Sequence, residues 1–361
     1  MKPRAGSSLR ETRIEAVTCR HGDCSAIRKG LQMCSTPPAS LGFRSNDGRP
    51  RIHLLRAKSL LFIWALWLVS SHGLLYAQVE SKIQPQFPPK ALGEIVRIEA
   101  SRTVGPIKVD GKLDEVSWRH AHRSPRFVDL IHGQQTIHDT RVSVLWNDEF
   151  LYLGYWIEEP FVQAKFTERD APIYYDNDVE FFVAGADAYY EFEINAHGTV
   201  YEGLFIWQDN FESSGFAKLP EFDQTKSQTK FQPFNGVGLK NHPRGQRWAY
   251  LKWDFPGAQF AVQIDGTLND SSDRDRGWTV ELAFPWKGMK SFMLGDQRAL
   301  PPRPGDVWRM DFSRFNQYRE AVPAKDSGGW ALSSHGVWDS HIPEVFPFVT
   351  FSANPSSATS K

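Results

Sequence analysis

The side chains with the clearest potential for chemistry lie in residues 178–207, where residue types alternate with a period of two through a strand, a tight turn and a second strand. This pattern predicts a two-stranded antiparallel hairpin. Successive side chains of a strand point to opposite faces, so Tyr190, Phe192 and Ile194 share one face, which is predicted to belong to a core.

Glu191, Glu193 and Asn195 share the other face. Such groups can hydrogen-bond the hydroxyls of a sugar, and a neighbouring aromatic ring can cover its apolar face. The competing interpretation is a solvated outer face, as antiparallel sheets commonly have.

The pair Glu191 and Glu193 also allows a catalytic interpretation. Glycoside hydrolases use two carboxyl groups about 5 to 10 Å apart, and positions i and i+2 of a strand approach the lower end of that range. Carboxylate pairs are commonplace on solvated sheet faces, and we therefore assign no catalytic residue. A glycoside hydrolase remains an alternative, which loss of hydrolysis in a Glu193→Gln variant would establish.

A second group of side chains with oxygen ligands follows a later strand. It lies in the segment TLNDSSDRDR, residues 267–276, and in Asp265 just before it. Calcium takes six to eight hard oxygen ligands, and a domain without disulfides gains stability from a bound ion. The spacing does not match an EF-hand loop, and segments of this composition also form ordinary turns. The candidate ligands of a structural calcium ion are Asp265, Asn269, Asp270, Asp273 and Asp275.

Short strands must position these groups. Residues 141–158 predict a hairpin around Asn147 and Asp148, and similar alternation recurs before Pro285 and in residues 305–316. About eight strands, almost no helical period and no internal repeat predict one all-β antiparallel sandwich. We place it at residues 104–352, after a lead-in arm at 78–103 and before a disordered tail at 353–361.

The first 77 residues differ in character from the rest. Residues 51–77 have a basic start, an apolar run of ten residues and a small-residue exit, which is the layout of a signal peptide. Cleavage is expected near Gly73 or Ala77, with a retained membrane anchor as the alternative. Residues 1–50 are expected to be disordered or the product of a misassigned start of translation. The sequence therefore predicts export to the periplasm, cell surface or medium.

Removing that segment changes charge and cysteine content. It holds twelve basic and four acidic residues, so 30 basic and 38 acidic residues remain, a net charge of minus eight. All three cysteines also precede residue 78. A mildly acidic, cysteine-free domain disfavours nucleic acid and anionic lipid as partners. It also carries no nucleotide, zinc-protease or serine-hydrolase motif.

Seven motifs in the same order resemble the carbohydrate-binding modules of family 9. They are VDGKLDEVSW, RVSVLWNDEFLYLGYW, DNDVEFF, YYEFEINAHGTV, DGTLNDSSDRDRGWTVELAFPWKGM, GDVWRMDFSRFN and HIPEVFPFVTF. The resemblance covers nearly all of residues 104–351. It implies a jelly-roll or immunoglobulin-like sandwich of the DOMON type that binds sugars without catalysis and commonly carries structural calcium. It also implies an oligosaccharide or polysaccharide as partner, a separate glycoside hydrolase as a further one, and no organic cofactor.

The resemblance also implies the residues of a sugar site. Tyr174 matches a stacking ring that is Trp in the family, and Glu180 matches a carboxylate that hydrogen-bonds sugar hydroxyls. Asn195 lies in a strand that lines the site, and Glu193 stands where the family has a basic residue. The second stacking ring corresponds to Trp338. Its register is about two residues off, and Trp330 stays open as an alternative.

A haem-binding redox protein of the DOMON type is a further alternative. Axial iron ligands would be His or Met, and after residue 77 the methionines are Met289, Met293 and Met310. None has a histidine partner that the sequence pattern identifies. His120 and His122 would point to different sides of a helix, so a transition-metal site there is not favoured.

Overall fold

Fourteen strands and one short α-helix form the part of the protein that the computed structural model describes, residues 87–317 and 326–355. These residues lie within one unit, Val79–Lys361, while the other unit, Met1–Gln78, lies outside the described residues. The expected extension at 1–50, the signal peptide at 51–77 and most of the expected tail also lie outside them. The strands are β1 Arg97–Arg102, β2 Val128–Asp129, β3 Thr140–Trp146, β4 Phe150–Glu158, β5 Asp178–Ala184, β6 Ala188–Asn195, β7 Val200–Trp207, β8 Gln232–Phe234, β9 Arg247–Tyr250, β10 Gln259–Asp265, β11 Gly277–Pro285, β12 Val307–Phe315, β13 Gly329–Ala331 and β14 Phe348–Pro355; the helix α1 is Val116–His120.

The strands follow one hydrogen-bonded path that folds over on itself. The order is β10-β11-β4-β3-β1-β14-β12-β5-β6-β7-β9-β8, and β13 and β2 extend from β12. Residues from β4 and β11 share one buried cluster with residues from β5, β6 and β12. The two arms of the path therefore face each other as a β-sandwich, which confirms the predicted all-β fold.

The pairing is not purely antiparallel, and this corrects two expectations. Strand β1 pairs in parallel with both β14 and β3. It lies inside residues 78–103, which we expected to form a lead-in arm. The signal in RIEASR is short and strongly polar, so the sequence does not reveal a strand that its two neighbours stabilise by main-chain hydrogen bonds.

Aromatic rings fill the space between the two arms. Phe284 of β11 lies 5.2 Å from Phe181 of β5 and 5.3 Å from Phe192 of β6, measured between ring centroids. The Tyr155 hydroxyl of β4 donates to the main-chain oxygen of Glu180 on β5 at 2.8 Å. Tyr190, Phe192 and Ile194 all belong to this core, as their alternation predicted. The opposite faces of β5 and β6 are consequently turned away from it.

The two predicted turns are present, with one difference. Strands β3 and β4 form the hairpin around Asn147, whose Oδ1 accepts the main-chain N–H groups of Glu149 and Phe150. Residues 178–207 form three strands, β5, β6 and β7, where we expected a two-stranded hairpin. The second turn, at residues 196–199, is closed by Asn195, as described below.

Candidate functional site

Four side chains form a row across the outward face of β12, β5, β6 and β7. Ser313 is paired with Glu180, Glu180 with Glu193, and Glu193 with Tyr201. Directly paired residues of antiparallel strands have their Cβ atoms about 5 Å apart on the same face. The strand register thus sets two carboxylates side by side, which the sequence of either strand alone does not show.

This face is buried, so the interpretation as a solvated surface is wrong. Glu180 and Glu191 are each 4% exposed, and Glu193 is 2% exposed. Loop segments cover the face: the ring of His341 lies 4.7 Å from Phe205 on β7 and 4.5 Å from Phe234 on β8. Long connections, not the strand itself, remove these carboxylates from water.

The covering loops leave a cleft of about 1170 Å³ over the acidic row. Glu180, Glu191, Glu193, Tyr174 and Trp338 all line it. A volume of this size exceeds that of most small-ligand pockets, which fall between about 300 and 1,000 Å³. The cleft can therefore hold more than one sugar ring.

An aromatic group stands on the β7 side of the row. Tyr174 lies in a single 3₁₀ turn, Ile173–Tyr175, that leads into β5. Its ring centroid is 4.7 Å from that of Tyr175 and 5.6 Å from that of Tyr201. The Tyr174 side chain stays 40% exposed, so its neighbours hold the ring while part of it faces the cleft.

A second aromatic group stands on the β12 side. Trp338 packs against Phe315, at the end of β12, with ring centroids 5.0 Å apart and planes at 78°. Trp338 is 38% exposed and lines the cleft, whereas Trp330 is fully buried in the core. The indole N–H of Trp330 donates to Asp326 at 2.7 Å. Of the two candidates for the second ring, only Trp338 has a surface free for a ligand.

One carboxylate connects Trp338 to the opposite loop. Oδ2 of Asp339 accepts the main-chain N–H groups of Val237, Gly238 and Leu239 at 2.8 to 3.0 Å. A Cβ atom on Gly238 would lie 2.0 Å from the main-chain oxygen of Trp338, so only glycine allows this approach. The sequence did not single out Asp339, because its partners lie about a hundred residues away.

Burial shifts the acid–base properties of the row. It raises the pKa of Glu180 to about 8, and the nearby Asp311 carboxylate adds to the increase, although the Ser313 hydroxyl opposes it. Burial, with repulsion from neighbouring carboxylates, also raises the pKa values of Glu191 and Glu193 well above the ordinary range. Ionising several of these buried carboxyl groups at once is therefore unfavourable unless a positive partner is present.

Two buried histidines lie beside the row, and their pKa values are shifted in opposite directions. Nδ1 of His335 is 2.7 Å from the main-chain oxygen of Asp339, and Nε2 is 3.1 Å from Oδ1 of Asp311. Burial lowers the pKa of His335, but Asp311 and Asp339 together more than offset this and the net pKa is raised. By contrast, burial lowers the pKa of His341 to about 4, so His341 is neutral at pH 7.

Asn195 has a structural role, which corrects its expected place among the sugar-binding residues. Its Nδ2 donates to the main-chain oxygen of Phe166 at 2.9 Å, and its Oδ1 accepts the N–H groups of His197 and Thr199. The residue is fully buried and does not line the cleft. Its hydrogen bonds close the turn between β6 and β7.

A buried ion pair that the sequence did not indicate holds the start of β5. Nη2 of Arg314 lies 3.3 Å from Oε2 of Glu159, which also accepts the indole N–H of Trp278 at 2.7 Å. The side-chain amide of Asn177 donates to the other oxygen of Glu159. Asn177 directly precedes Asp178, so this network fixes where the acidic face of β5 begins.

Three of the buried carboxylates converge. One oxygen atom from each of Asp178, Glu180 and Glu193 lies within 4.8 Å of the other two. Oδ2 of Asp178 and Oε2 of Glu193 have no hydrogen-bond partner. The sequence motifs indicated Glu180 and Glu193 but not Asp178. Its place at i−2 from Glu180 puts both on one strand face, which was the available signal.

The acidic segment expected to bind calcium is engaged differently. Oδ2 of Asp275 accepts the N–H of Val162 and Oδ1 that of Thr267, while Asn269 forms two hydrogen bonds with the main chain of Ala164. The remaining members, Asp265, Asp270 and Asp273, are exposed. A convergent acidic trio is found in the described ranges only at Asp178, Glu180 and Glu193. Calcium at residues 265–275 stays a prediction.

The residues of the haem and transition-metal alternatives lie elsewhere. Met289, Met293 and Met310 belong to the core between the two arms of the sheet, and none lines the cleft. His120 and His122 are exposed near the end of α1. Within the part of the chain that the structure describes, no helix is long and apolar enough to cross a membrane.

Part of the chain matches one known protein family. The model of carbohydrate-binding family 9 matches residues 133–215, which include Tyr174, Glu180, Glu193 and Tyr201. No curated protein matches the chain.

Solved structures resemble the chain weakly. A candidate carbohydrate-binding protein from Bacteroides uniformis aligns with 72% of this chain and 100% of its own, at 14% identity and a TM-score of 0.47. A family 9 carbohydrate-binding module from Caldicellulosiruptor kristjanssonii in complex with glucose aligns with 73% and 100%, at 12% identity and a TM-score of 0.39. The module from that organism in complex with cellotriose aligns with 73% and 97%, at 11% identity and a TM-score of 0.38. The resemblance to carbohydrate-binding family 9 seen in the sequence motifs is thus confirmed by the family model over residues 133–215.

Proposed function

We propose that this protein binds a carbohydrate without catalysis, in the cleft above Glu180 and Glu193. The observation that carries the proposal is an acidic row with an aromatic group at either side. The match of residues 133–215 to carbohydrate-binding family 9 supports it.

The dimensions of the cleft suit a sugar. Strands β12 and β7 are separated by β5 and β6, so their axes lie about 14 Å apart at the usual strand spacing. Tyr174 and Trp338 can each offer an exposed part of a ring to the apolar face of a pyranose. Carboxyl groups between them can accept hydrogen bonds from sugar hydroxyls, which are short and strong when the acceptor is charged.

Binding of this kind needs no proton transfer. A protonated Glu180 can donate to a hydroxyl and an ionised one can accept, so sugar binding tolerates either state. Hydrolysis would require one protonated and one ionised carboxyl group on the two sides of the bond. We therefore expect no release of reducing ends from oligosaccharides. Release that disappears in Glu193→Gln would favour the glycoside hydrolase instead.

We further propose that the protein is exported and acts beside a separate glycoside hydrolase. Support for export comes from the basic, apolar and small-residue regions of residues 51–77. The protein recovered outside the cytoplasm should begin near residues 74–78. Its mass and its amino-terminal sequence would show this. Recovery of the uncleaved chain from the membrane would favour a retained anchor.

The direct test is isothermal titration of the purified protein with mono- and oligosaccharides, including glucose and cellotriose. Saturable heat that Tyr174→Ala and Trp338→Ala reduce is the expected result. Binding that both variants leave unchanged would place the sugar elsewhere. No binding across a broad panel would contradict the proposed function.

A further inference from the structure

We propose that Asp178, Glu180 and Glu193 hold a divalent cation, with calcium the best fit, on the floor of the cleft. The cation site stands on its own geometry. Its second part, that the ion contacts the bound sugar, rests on the proposed function.

The distances fit one ion. Calcium binds oxygen ligands at 2.3 to 2.6 Å, so two ligands of the same ion are at most about 5 Å apart. The three carboxylate oxygens lie within 4.8 Å of one another. Magnesium, at 2.0 to 2.1 Å, limits that separation to about 4 Å and would require the side chains to move closer.

Two oxygen atoms in the trio are buried and have no partner. Oδ2 of Asp178 and Oε2 of Glu193 make no hydrogen bond, although Asp178 is fully buried and Glu193 is 2% exposed. A buried carboxylate oxygen without a partner is costly, and a metal ion is one of the few groups that satisfy several at once.

Other contacts hold the ligands in place while leaving those atoms free. Oδ1 of Asp178 accepts the N–H of Phe315 at 3.2 Å, and Oε2 of Glu180 accepts the Ser313 hydroxyl at 2.9 Å. Hydrogen bonds of this kind orient metal ligands in known sites. The arrangement therefore resembles a prepared ligand set more than an accidental meeting of acids.

The protein supplies no positive side chain to the trio in the described ranges. No lysine or arginine there lies within 4.0 Å of the carboxylate oxygens of Asp178, Glu180 or Glu193. The nearest histidines are engaged with other acids: His335 with Asp311, and His341 with Glu191 at 3.5 Å. A bound cation would supply a positive charge to the trio.

One side of the site opens to the cleft. Glu180 and Glu193 both line it, while Asp178 lies beneath. Three carboxylates supply three to six of the six to eight oxygen ligands that calcium takes. The remaining positions face the cleft, where water fills them in the free protein and two neighbouring hydroxyls of a sugar replace that water on binding.

The test titrates calcium chloride into chelator-treated protein, with no sugar present, by calorimetry and thermal unfolding. We expect a saturable site that depends on Glu193 and a calcium-dependent rise in Tm. Glu193→Gln keeps the shape of the side chain and should weaken calcium binding at least tenfold. Its Tm without calcium should equal or exceed that of the wild type, because the variant lacks a buried carboxyl group that is costly in the absence of a cation. A misfolded variant would show a lower Tm instead.

Glu99→Gln is the matched control. Glu99 is exposed on β1 and does not line the cleft. The variant should bind calcium as the wild type does. The proposal is wrong if calcium produces no heat and no change in Tm, if Glu193→Gln binds it normally, or if Glu99→Gln weakens binding as much as Glu193→Gln does.

Sugar titrations in calcium and in chelator distinguish the cation site itself from the proposed contact between the ion and the sugar. Sugar affinity that falls at least tenfold in chelator supports the bridging role. Equal sugar affinity in both solutions refutes bridging and leaves the proposed function intact. Calcium binding without any sugar binding supports the ion site and contradicts the proposed function.

Discussion

Replacing Tyr174 or Trp338, two of the exposed aromatic residues that line the cleft, by alanine should weaken sugar binding by a predictable amount. Tyr174 is 40% exposed and Trp338 is 38% exposed. Aromatic side chains present about 200 Å² of surface, so roughly 80 Å² of each is available to a ligand. A sugar ring covers one face, about half of that area.

This area sets the expected loss. Burial of about 40 Å² at about 25 cal/mol/Å² is worth about 1 kcal/mol. Tyr174→Ala and Trp338→Ala should therefore each weaken binding about fivefold. If both rings contact the same ligand independently, the double variant should weaken it about twenty-fivefold.

The matched control is Phe260→Ala. Phe260 is 37% exposed, lies on β10 and does not line the cleft. The three single variants are titrated by calorimetry with the sugar that binds most tightly. Phe260→Ala should bind this sugar with the affinity of the wild type. Equal losses in all three variants would mean that alanine acts through general loosening of the fold. Unchanged affinity in Tyr174→Ala and Trp338→Ala would refute the stacking argument.

Further predictions concern stability and pH. Asp339→Ala leaves the N–H groups of residues 237–239 without their acceptor, so chemical denaturation should show a loss of about 3 kcal/mol; an unchanged value would mean that water replaces the carboxylate. Arg314→Met leaves Glu159 buried without its cation and should cost about 3 to 5 kcal/mol, part of which Glu159→Gln should restore in the double variant; additive losses would argue against direct coupling. The pKa of His341 is about 4 in the folded protein, below its ordinary value, so the folded state resists protonation and stability is lost as pH falls from about 6.5 to 4. His341→Gln should remove this part of the pH dependence, so the Tm of the variant minus that of the wild type should increase as the pH falls from about 6.5 to 4. A constant difference between the two Tm values would show that His341 does not titrate in this range.

The hydrophobic alternation of the strands determined most of the fold in advance. Tyr190, Phe192 and Ile194 were assigned to the core and lie in it, and the hairpin around Asn147 forms as its turn chemistry predicts. Strand β1 escaped prediction because the parallel partners that stabilise it come from distant parts of the chain. Local sequence carries no record of such pairing.

The candidate site also has features that the sequence predicted and others that it did not. Period two in β6 determined that Glu191 and Glu193 share a face, and the family motifs indicated Tyr174, Glu180 and Trp338. Whether that face meets water or loops depended on the connections that cover it, which have no regular period.

Register between strands was equally beyond the sequence. It is the pairing of Glu180 with Glu193 and of Asp178 with Phe315 that brings three carboxylates together. Sequence by itself determined which side chains face outward, because that follows from the geometry of a single strand. Tertiary structure alone decided which of them meet and how deeply they are buried, because strand register and loop packing join residues that are far apart in the chain.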